Sequence, residues 1–210
     1  MSDTRNVGAP SHTLLLATWN RGKLTEFAAL LAPFALELRC LTELPGIELP
    51  PEGDDYERNA SAKVLVAARA CDCAALGDDS GIELAALGGA PGPLSARFGG
   101  SELDDAGRSQ RLLAALAQSG SPDRSARFVC VAAFATPAGE VTLARGECRG
   151  TILPAARGDA GFGYDPVFRP EGYDLSLAEL PPELKNRISH RGRAIQALAP
   201  VLVRAFGAVR

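Results

Sequence analysis

Leu76-Gly77-Asp78-Asp79-Ser80-Gly81-Ile82-Glu83 continues an apolar run, Ala74-Ala75, into two adjacent carboxylates, a hydroxyl and a glycine. This pattern reads as a buried strand delivering acidic side chains to the edge of a sheet, where α/β proteins bind ligands. Two neighbouring carboxylates repel, so holding them together calls for a cation or a proton between them. Taken alone, Asp78 to Gly81 also fits a β-turn with solvated aspartates. Downstream, Leu87-Gly88-Gly89-Ala90-Pro91-Gly92-Pro93 packs three glycines and two prolines into six residues, and the loop runs on through Ser95-Ala96-Arg97-Phe98 to a cation.

Upstream, Thr13-Leu14-Leu15-Leu16-Ala17 suits a second buried strand. It breaks into Thr18-Trp19-Asn20-Arg21-Gly22-Lys23, after which Leu24, Phe27, Leu30 and Leu31 recur at helical spacing. A polar turn that opens a helix and carries Lys23 and Asn20 attracts anions, although it lacks the Walker A spacing. As a plain structural element it is an N-cap. Ala35 to Leu41 alternates as a strand, Leu44 to Gly53 is loop, and Asp54 or Asp55 caps a helix over Tyr56 to Cys71. The acidic stretch Glu52 to Asn59 is either a helix-dipole effect or faces the Asp78-Asp79 carboxylates across a metal.

In the second half, Asp104 to Ala117 reads as an amphipathic helix. Ala126 to Ala135 and Glu140 to Cys148 flank Thr136-Pro137-Ala138-Gly139 as a hairpin, so part of the sheet is antiparallel. Gly161-Phe162-Gly163-Tyr164-Asp165-Pro166 lets backbone approach a ligand and offers rings to stack on a base, or else is a turn packed on the core. Ser189 caps a last helix, His190 to Phe206. Lys185, Arg187, His190, Arg191 and Arg193 crowd its start against the dipole, so they need anionic partners or point away.

Composition sets the bounds. The 210 residues, 46% hydrophobic and 22% charged, suit one globular domain, possessing no apolar run long enough to span a membrane. Residues 1–12 read as a flexible tail without a secretory h-region, and 13–210 as one domain. A net charge of −3 argues against a broad nucleic-acid surface. Five irregularly spaced cysteines without an export signal fit reduced thiols in the cytoplasm, and a zinc site is not expected. The residues thus describe an α/β protein for a ligand with phosphates, a metal and a planar base, without naming the reaction.

The ordered set of motifs resembles the inosine triphosphate pyrophosphatase, or Ham1-like, family. The matching pieces are Leu16 to Lys23, Asn59-Ala60 with Lys63, Asp78-Asp79-Ser80-Gly81, Leu87 to Gly92, Ser95 to Phe98, Gly161 to Pro166 and Ser189-His190-Arg191-Gly192. The resemblance implies a homodimer of two-lobed α/β subunits, each a long mixed sheet flanked by helices with the nucleotide in a cleft between the lobes. It implies Mg²⁺-dependent hydrolysis of the purine nucleoside triphosphates ITP, dITP and XTP to monophosphate and pyrophosphate. Carried over, Thr18, Trp19, Asn20, Arg21, Gly22 and Lys23 form the phosphate turn. Asp79 is the general base and a metal ligand, with Asp78 beside it, and Ser80 touches substrate; Glu52, the carboxylate nearest to the family's second metal-binding position, is the candidate second ligand. Phe162, Gly163, Tyr164, Asp165, Lys185, His190 and Arg191 hold base and sugar, Arg191 being the candidate donor to the C6 oxygen of the base. Two positions depart from the family: Trp19 stands where glycine is usual, and Pro51 stands where the metal-binding acid is usual, one place before Glu52. The rival readings are a Maf-like nucleotide pyrophosphatase with another base preference and a catalytically silent nucleotide-binding module.

Overall fold

The computed structural model describes residues 12–44 and 46–207. Apart from His12, the expected tail at 1–12 lies outside them. Seven strands form one sheet: β1 (Thr13–Leu16), β2 (Glu37–Cys40), β3 (Ala74–Leu84), β4 (Pro91–Gly92), β5 (Ser125–Ala135), β6 (Val141–Ile152) and β7 (Phe168–Pro170). Their order is β2-β1-β3-β5-β6-β7, with β4 also paired to β3. β2 and β3 run parallel to β1, and the remaining pairings are antiparallel. The helices are α1 (Arg21–Leu31), α2 (Tyr56–Cys71), α3 (Asp105–Gln118), α4 (Pro182–Ile188) and α5 (His190–Phe206). Among the described residues no helix is long and apolar enough to cross a membrane.

The apolar runs decide which helices cover which face. Successive strand side chains point to opposite faces, so a strand buried on both sides must be apolar throughout. Leu14, Leu16 and Leu76 pack with Phe27 and Leu31 of α1 and with Ile195, Leu198 and Leu202 of α5. Leu15, Ala17, Ala75 and Val131 pack on the other face with Ala60, Val64 and Ala67 of α2. A third cluster, Ile82, Leu84, Phe128 and Phe168 with Leu112 and Leu116 of α3, fills the far end of the sheet. Each fully buried leucine or phenylalanine contributes roughly 1.5–3 kcal/mol.

Polar side chains start the helices. Asn20, Asp55, Asp104 and Ser189 accept from the backbone N–H groups of Lys23, Arg58, Gly107 and Gly192. Asp72, left-handed at φ 49°, closes α2 and turns the chain into β3 within two residues.

β3 differs from the expectation. It does not end before the carboxylates; it runs eleven residues, and Asp78 and Asp79 pair in mid-strand with Ala132 and Val131 of β5. The Asp-Asp-Ser-Gly stretch is therefore neither a turn nor a strand end. The sheet edge arises laterally instead. β1 accompanies β3 only as far as Leu16 opposite Leu76, and β4 rejoins it at Ile82. Between those points one side of β3 has no neighbouring strand, and this gap holds the carboxylates.

Candidate active site

A cavity of about 330 Å³ opens at the gap. Its walls come from the β1–α1 turn (Thr18, Trp19, Asn20, Lys23), from Glu52 and Lys63, from β3 (Asp79, Ser80), from Phe162 to Asp165, and from His190 and Arg191. A larger cavity of about 850 Å³, over the part of the sheet bearing Arg127, Arg149 and Arg169, is lined by none of the catalytic, substrate-binding or metal residues expected from the sequence.

Alternation along β3 separates the two carboxylates onto opposite faces. They do not share a cation, as simple repulsion suggested; each has its own. Asp78 faces α1 and α5. Its Oδ2 accepts from Arg191 Nη2 at 2.8 Å and its Oδ1 lies 3.0 Å from Lys23 Nζ. Burial alone drives the Asp78 pKa upward, but Arg191, Lys23 and Lys63 outweigh it and hold the group well below the usual carboxylate range. Asp79 faces α2. Its Oδ2 accepts from Asn59 Nδ2 at 2.8 Å, and its Oδ1 lies 3.6 Å from Lys63 Nζ. Here burial prevails over Lys63 and the Asn59 hydrogen bond, and the pKa rises. Neighbouring carboxylates with pKa values pushed apart are the arrangement in which one stays an anchor and the other exchanges protons.

Lys63 organises the α2 side. Its ammonium donates to Glu52 Oε1 at 2.6 Å and to the Asp78 carbonyl at 2.8 Å, and it also faces Asp79. Arg97 donates to the Glu52 carbonyl at 2.6 Å, tying down the loop. Glu52 and Asp79 thus converge on one cationic position. That donor set suits Mg²⁺, which takes one or two carboxylates and completes its shell with water and phosphate oxygens. Among the described residues no group of three or more His, Cys, Asp or Glu side chains forms a metal cage.

On the opposite wall Glu26 bridges Arg191 Nη1 and, at 2.7 Å, Lys185 Nζ; Lys185 also pairs with Asp165. Lys185 and Arg191 of the basic cluster therefore have carboxylate partners, while Arg193 donates to the Glu147 carbonyl at 2.7 Å. Arg191, 1% exposed, also donates to Ser80 Oγ at 3.0 Å. Three bonds thus use its Nη1 and Nη2 groups, and its Nε–H is buried without a partner. His190 stacks on Phe128 with ring centroids 4.6 Å apart. Burial and the adjacent Arg191 push its pKa well down, so it is neutral. The 161–165 loop is fastened from three sides: Phe162 N–H to Asp165 Oδ2 at 2.9 Å, Gly163 N–H to Asp105 Oδ2 at 2.7 Å, and Tyr164 Oη to the Ser95 carbonyl at 2.8 Å.

The cavity does not gather every expected residue. Arg21 is exposed outside the lining. Gly22 contributes through absence: a Cβ there would collide with the Phe162 ring, so glycine lets that ring lie against the start of α1. Lys185 stands behind the wall, on Asp165 and Glu26, with its Nζ 5.3 Å from the Phe162 ring centre. Sequence reasoning gave no role to Glu26, Asn59 or Lys63, and did not single out Phe128. A signal existed for three of them. Lys23 and Glu26 share a helix face at i, i+3, and Asn59 and Lys63 lie at i, i+4 inside the buried Tyr56, Ala60, Val64 and Ala67 stripe of α2.

A family model described as "Ham1 family" matches residues 14–201. A dITP/XTP pyrophosphatase of Desulfotalea psychrophila is 45% identical over 195 residues, 91% of this chain and 86% of that protein. The solved structure of a HAM1 protein from Coxiella burnetii superposes with a TM-score of 0.79 at 39% identity, covering 91% of this chain and 98% of the other. That of a nucleoside-triphosphatase, dITP/XTP pyrophosphatase, from Mycobacterium abscessus gives 0.70 at 41% identity, covering 90% and 99%. With its motifs gathered in one cleft and its length matched nearly end to end, the chain belongs to the Ham1 family.

Proposed function

We propose that this protein hydrolyses non-canonical purine nucleoside triphosphates, ITP, dITP and XTP, to the monophosphate and pyrophosphate, cleansing the nucleotide pool. The observation that carries the reading is the split of the carboxylates: Asp78 is held between Arg191 and Lys23, while Asp79, on the other face of β3, lines the cavity beside Asn59 and Lys63. A carboxylate placed at the cavity wall and not locked between two cations is the one able to accept a proton.

Asp79 orients a water molecule and takes its proton as the oxygen attacks the α-phosphorus. Lys63, Lys23 and the N-terminus of α1 receive the negative charge of the phosphates, and Lys23 stabilises the departing pyrophosphate. Asp79 and Glu52 would hold Mg²⁺, which when bound offsets phosphate charge. Ser80 lines the same wall. Phe162, Tyr164 and the His190–Phe128 stack supply apolar surface for the base, and an Arg191 N–H is the donor for the C6 oxygen. ATP, with an amine at C6, leaves that donor unpaired. GTP shares the C6 oxygen and must be refused at its C2 amine.

The homodimer and the cytoplasmic location, implied by the family resemblance, belong to the same proposal; light scattering on the purified chain tests the first. Phosphate release from ITP in the presence of added inorganic pyrophosphatase tests the activity. Release from ITP but not from dTTP is the expected result. Turnover of dTTP supports a Maf-like preference, and tight ITP binding without turnover supports a silent binding module.

A further inference from the structure

Gly163, in the 161–165 loop, has both of its backbone groups taken by one helix. Its N–H donates to Asp105 Oδ2 at 2.7 Å, and its carbonyl accepts from Ser109 Oγ at 3.2 Å. Asp105 and Ser109 stand at i and i+4 on α3, so they share a face. A serine inside a helix commonly turns its hydroxyl back to the carbonyl four residues earlier. Ser109, 5% exposed, spends its hydroxyl on Gly163. An acid at the start of a helix is ordinarily explained by the dipole alone. The Asp105 carboxylate is committed to a peptide 58 positions away.

The helix that grips this peptide is a firm support. Asp104 caps it through the Gly107 N–H, and Arg108 donates to the carbonyls of Phe98, Gly100 and Leu103. Leu112 and Leu116 pack in one cluster with Tyr164, Val167 and Phe168. The gripped peptide carries the cavity wall on both sides, because Phe162 and Tyr164 flank it and line the cavity. The Phe162 ring rests against Gly22, with its centre 5.7 Å from the Arg191 guanidinium carbon. Holding the Gly163 peptide therefore holds that ring beside the guanidinium.

Resting on the nucleotide reading above, we propose that Asp105 and Ser109 are positioning residues that set base selectivity through Gly163. They fix the loop so that a base lying on Phe162 meets Arg191 in register. A misplacement of about 1 Å at such a contact is costly, and it costs most for the substrate that makes the most directed bond. ITP bonds to Arg191 through its C6 oxygen. ATP makes no such bond and has less to lose.

The experiment compares kcat/KM for ITP and for ATP in wild type, Asp105→Ala, Asp105→Asn and Ser109→Ala, each first checked by thermal melting. Asp105→Ala should lower kcat/KM for ITP about tenfold, the loss of one hydrogen bond to a charged group, and lower that for ATP by less than about threefold. Asp105→Asn keeps an acceptor oxygen and should restore the ITP-to-ATP ratio. Ser109→Ala, which removes the second bond from outside the cavity lining, should lower the ratio about threefold. It carries the test if Asp105→Ala melts early. Amide exchange at Gly163, followed by NMR without substrate, should be faster in Asp105→Ala than in wild type or Asp105→Asn. Equal losses for ITP and ATP overturn the assignment, as does unchanged exchange at Gly163. A Ser109→Ala enzyme with the wild-type ratio overturns it too and leaves Asp105 as a direct ligand contact. A wild-type protein that does not hydrolyse ITP ahead of ATP sinks the nucleotide reading and this inference together; preference for ITP in wild type with unmoved ratios in the variants sinks this inference alone.

Discussion

Asp78→Asn and Asp79→Asn are nearly the same chemical change one residue apart, and the structure predicts opposite consequences. Asp78 and Arg191 are each 1% exposed, and Arg191 Nη2 donates to Asp78 Oδ2 at 2.8 Å, with Lys23 on the other oxygen. Removing one partner of such a buried pair costs about 3–5 kcal/mol, because the remaining charge stays desolvated and unpaired. For a chain of this size that is a fall in Tm of roughly 6–20 °C. The depressed pKa gives the pH dependence. The stabilisation is fully present above the ordinary aspartate pKa and is lost as pH falls through the lower folded value, so Asp78→Asn should also flatten the acid side of the stability profile. Asp79 has a raised pKa, so its charge is disfavoured by folding and a neutral asparagine removes that cost. Lys63 keeps Glu52 at 2.6 Å and the Asp78 carbonyl at 2.8 Å. Asp79→Asn should therefore melt no lower than wild type, while losing the proton acceptor lowers kcat by roughly 10²–10⁴. Thermal melts from pH 3 to 8 and steady-state ITP hydrolysis on both variants form the assay. An Asp79→Asn enzyme within a few-fold of wild-type activity, or an Asp78→Asn protein that melts with wild type, refutes the division of labour.

Asn59→Ala removes the hydrogen bond that holds the Asp79 pKa down, so the acid limb of kcat/KM should move to higher pH; an unmoved limb means that another group titrates there. Chelation by EDTA should abolish turnover and added Mg²⁺ restore it, while full activity in EDTA would remove Glu52 and Asp79 from any metal role. Iodoacetamide under native conditions should leave turnover largely unchanged. Burial, with the adjacent Asp78, holds the Cys130 thiol well above the ordinary range, and burial pushes the partly exposed Cys73 up to about 12. Rapid inactivation that ITP prevents would contradict this.

Local chemistry made much of the fold readable before any coordinates. Helix starts at Asn20, Asp55, Asp104 and Ser189 follow from side chains that accept a backbone N–H two or three residues on, an interaction that needs no tertiary partner. The buried runs Leu14 to Ala17 and Ala126 to Ala135 follow from burial on both sheet faces. The candidate residues Thr18, Asn20, Asp79 and Arg191 were legible as an ordered set of motifs, and they do meet in one cavity. What the one-dimensional chain could not supply is how far a neighbour extends and which face a side chain takes. Asp78-Asp79 looked like a strand end because the apolar run stops there, yet β3 continues to Leu84: β5 supplies backbone partners fifty residues downstream, and the edge exists only because β1 is short. Adjacent carboxylates read as one repelling pair until the pleat sends one to Arg191 and Lys23 and the other to Asn59 and Lys63. Glu26 and Arg191 stand 165 positions apart, and no spacing rule links them. The sequence determined the elements and the chemical groups by local rules; only the packing of the sheet against its helices decided which charges are matched and which carboxylate remains free to act, because that choice depends on desolvation and on partners brought together from distant parts of the chain.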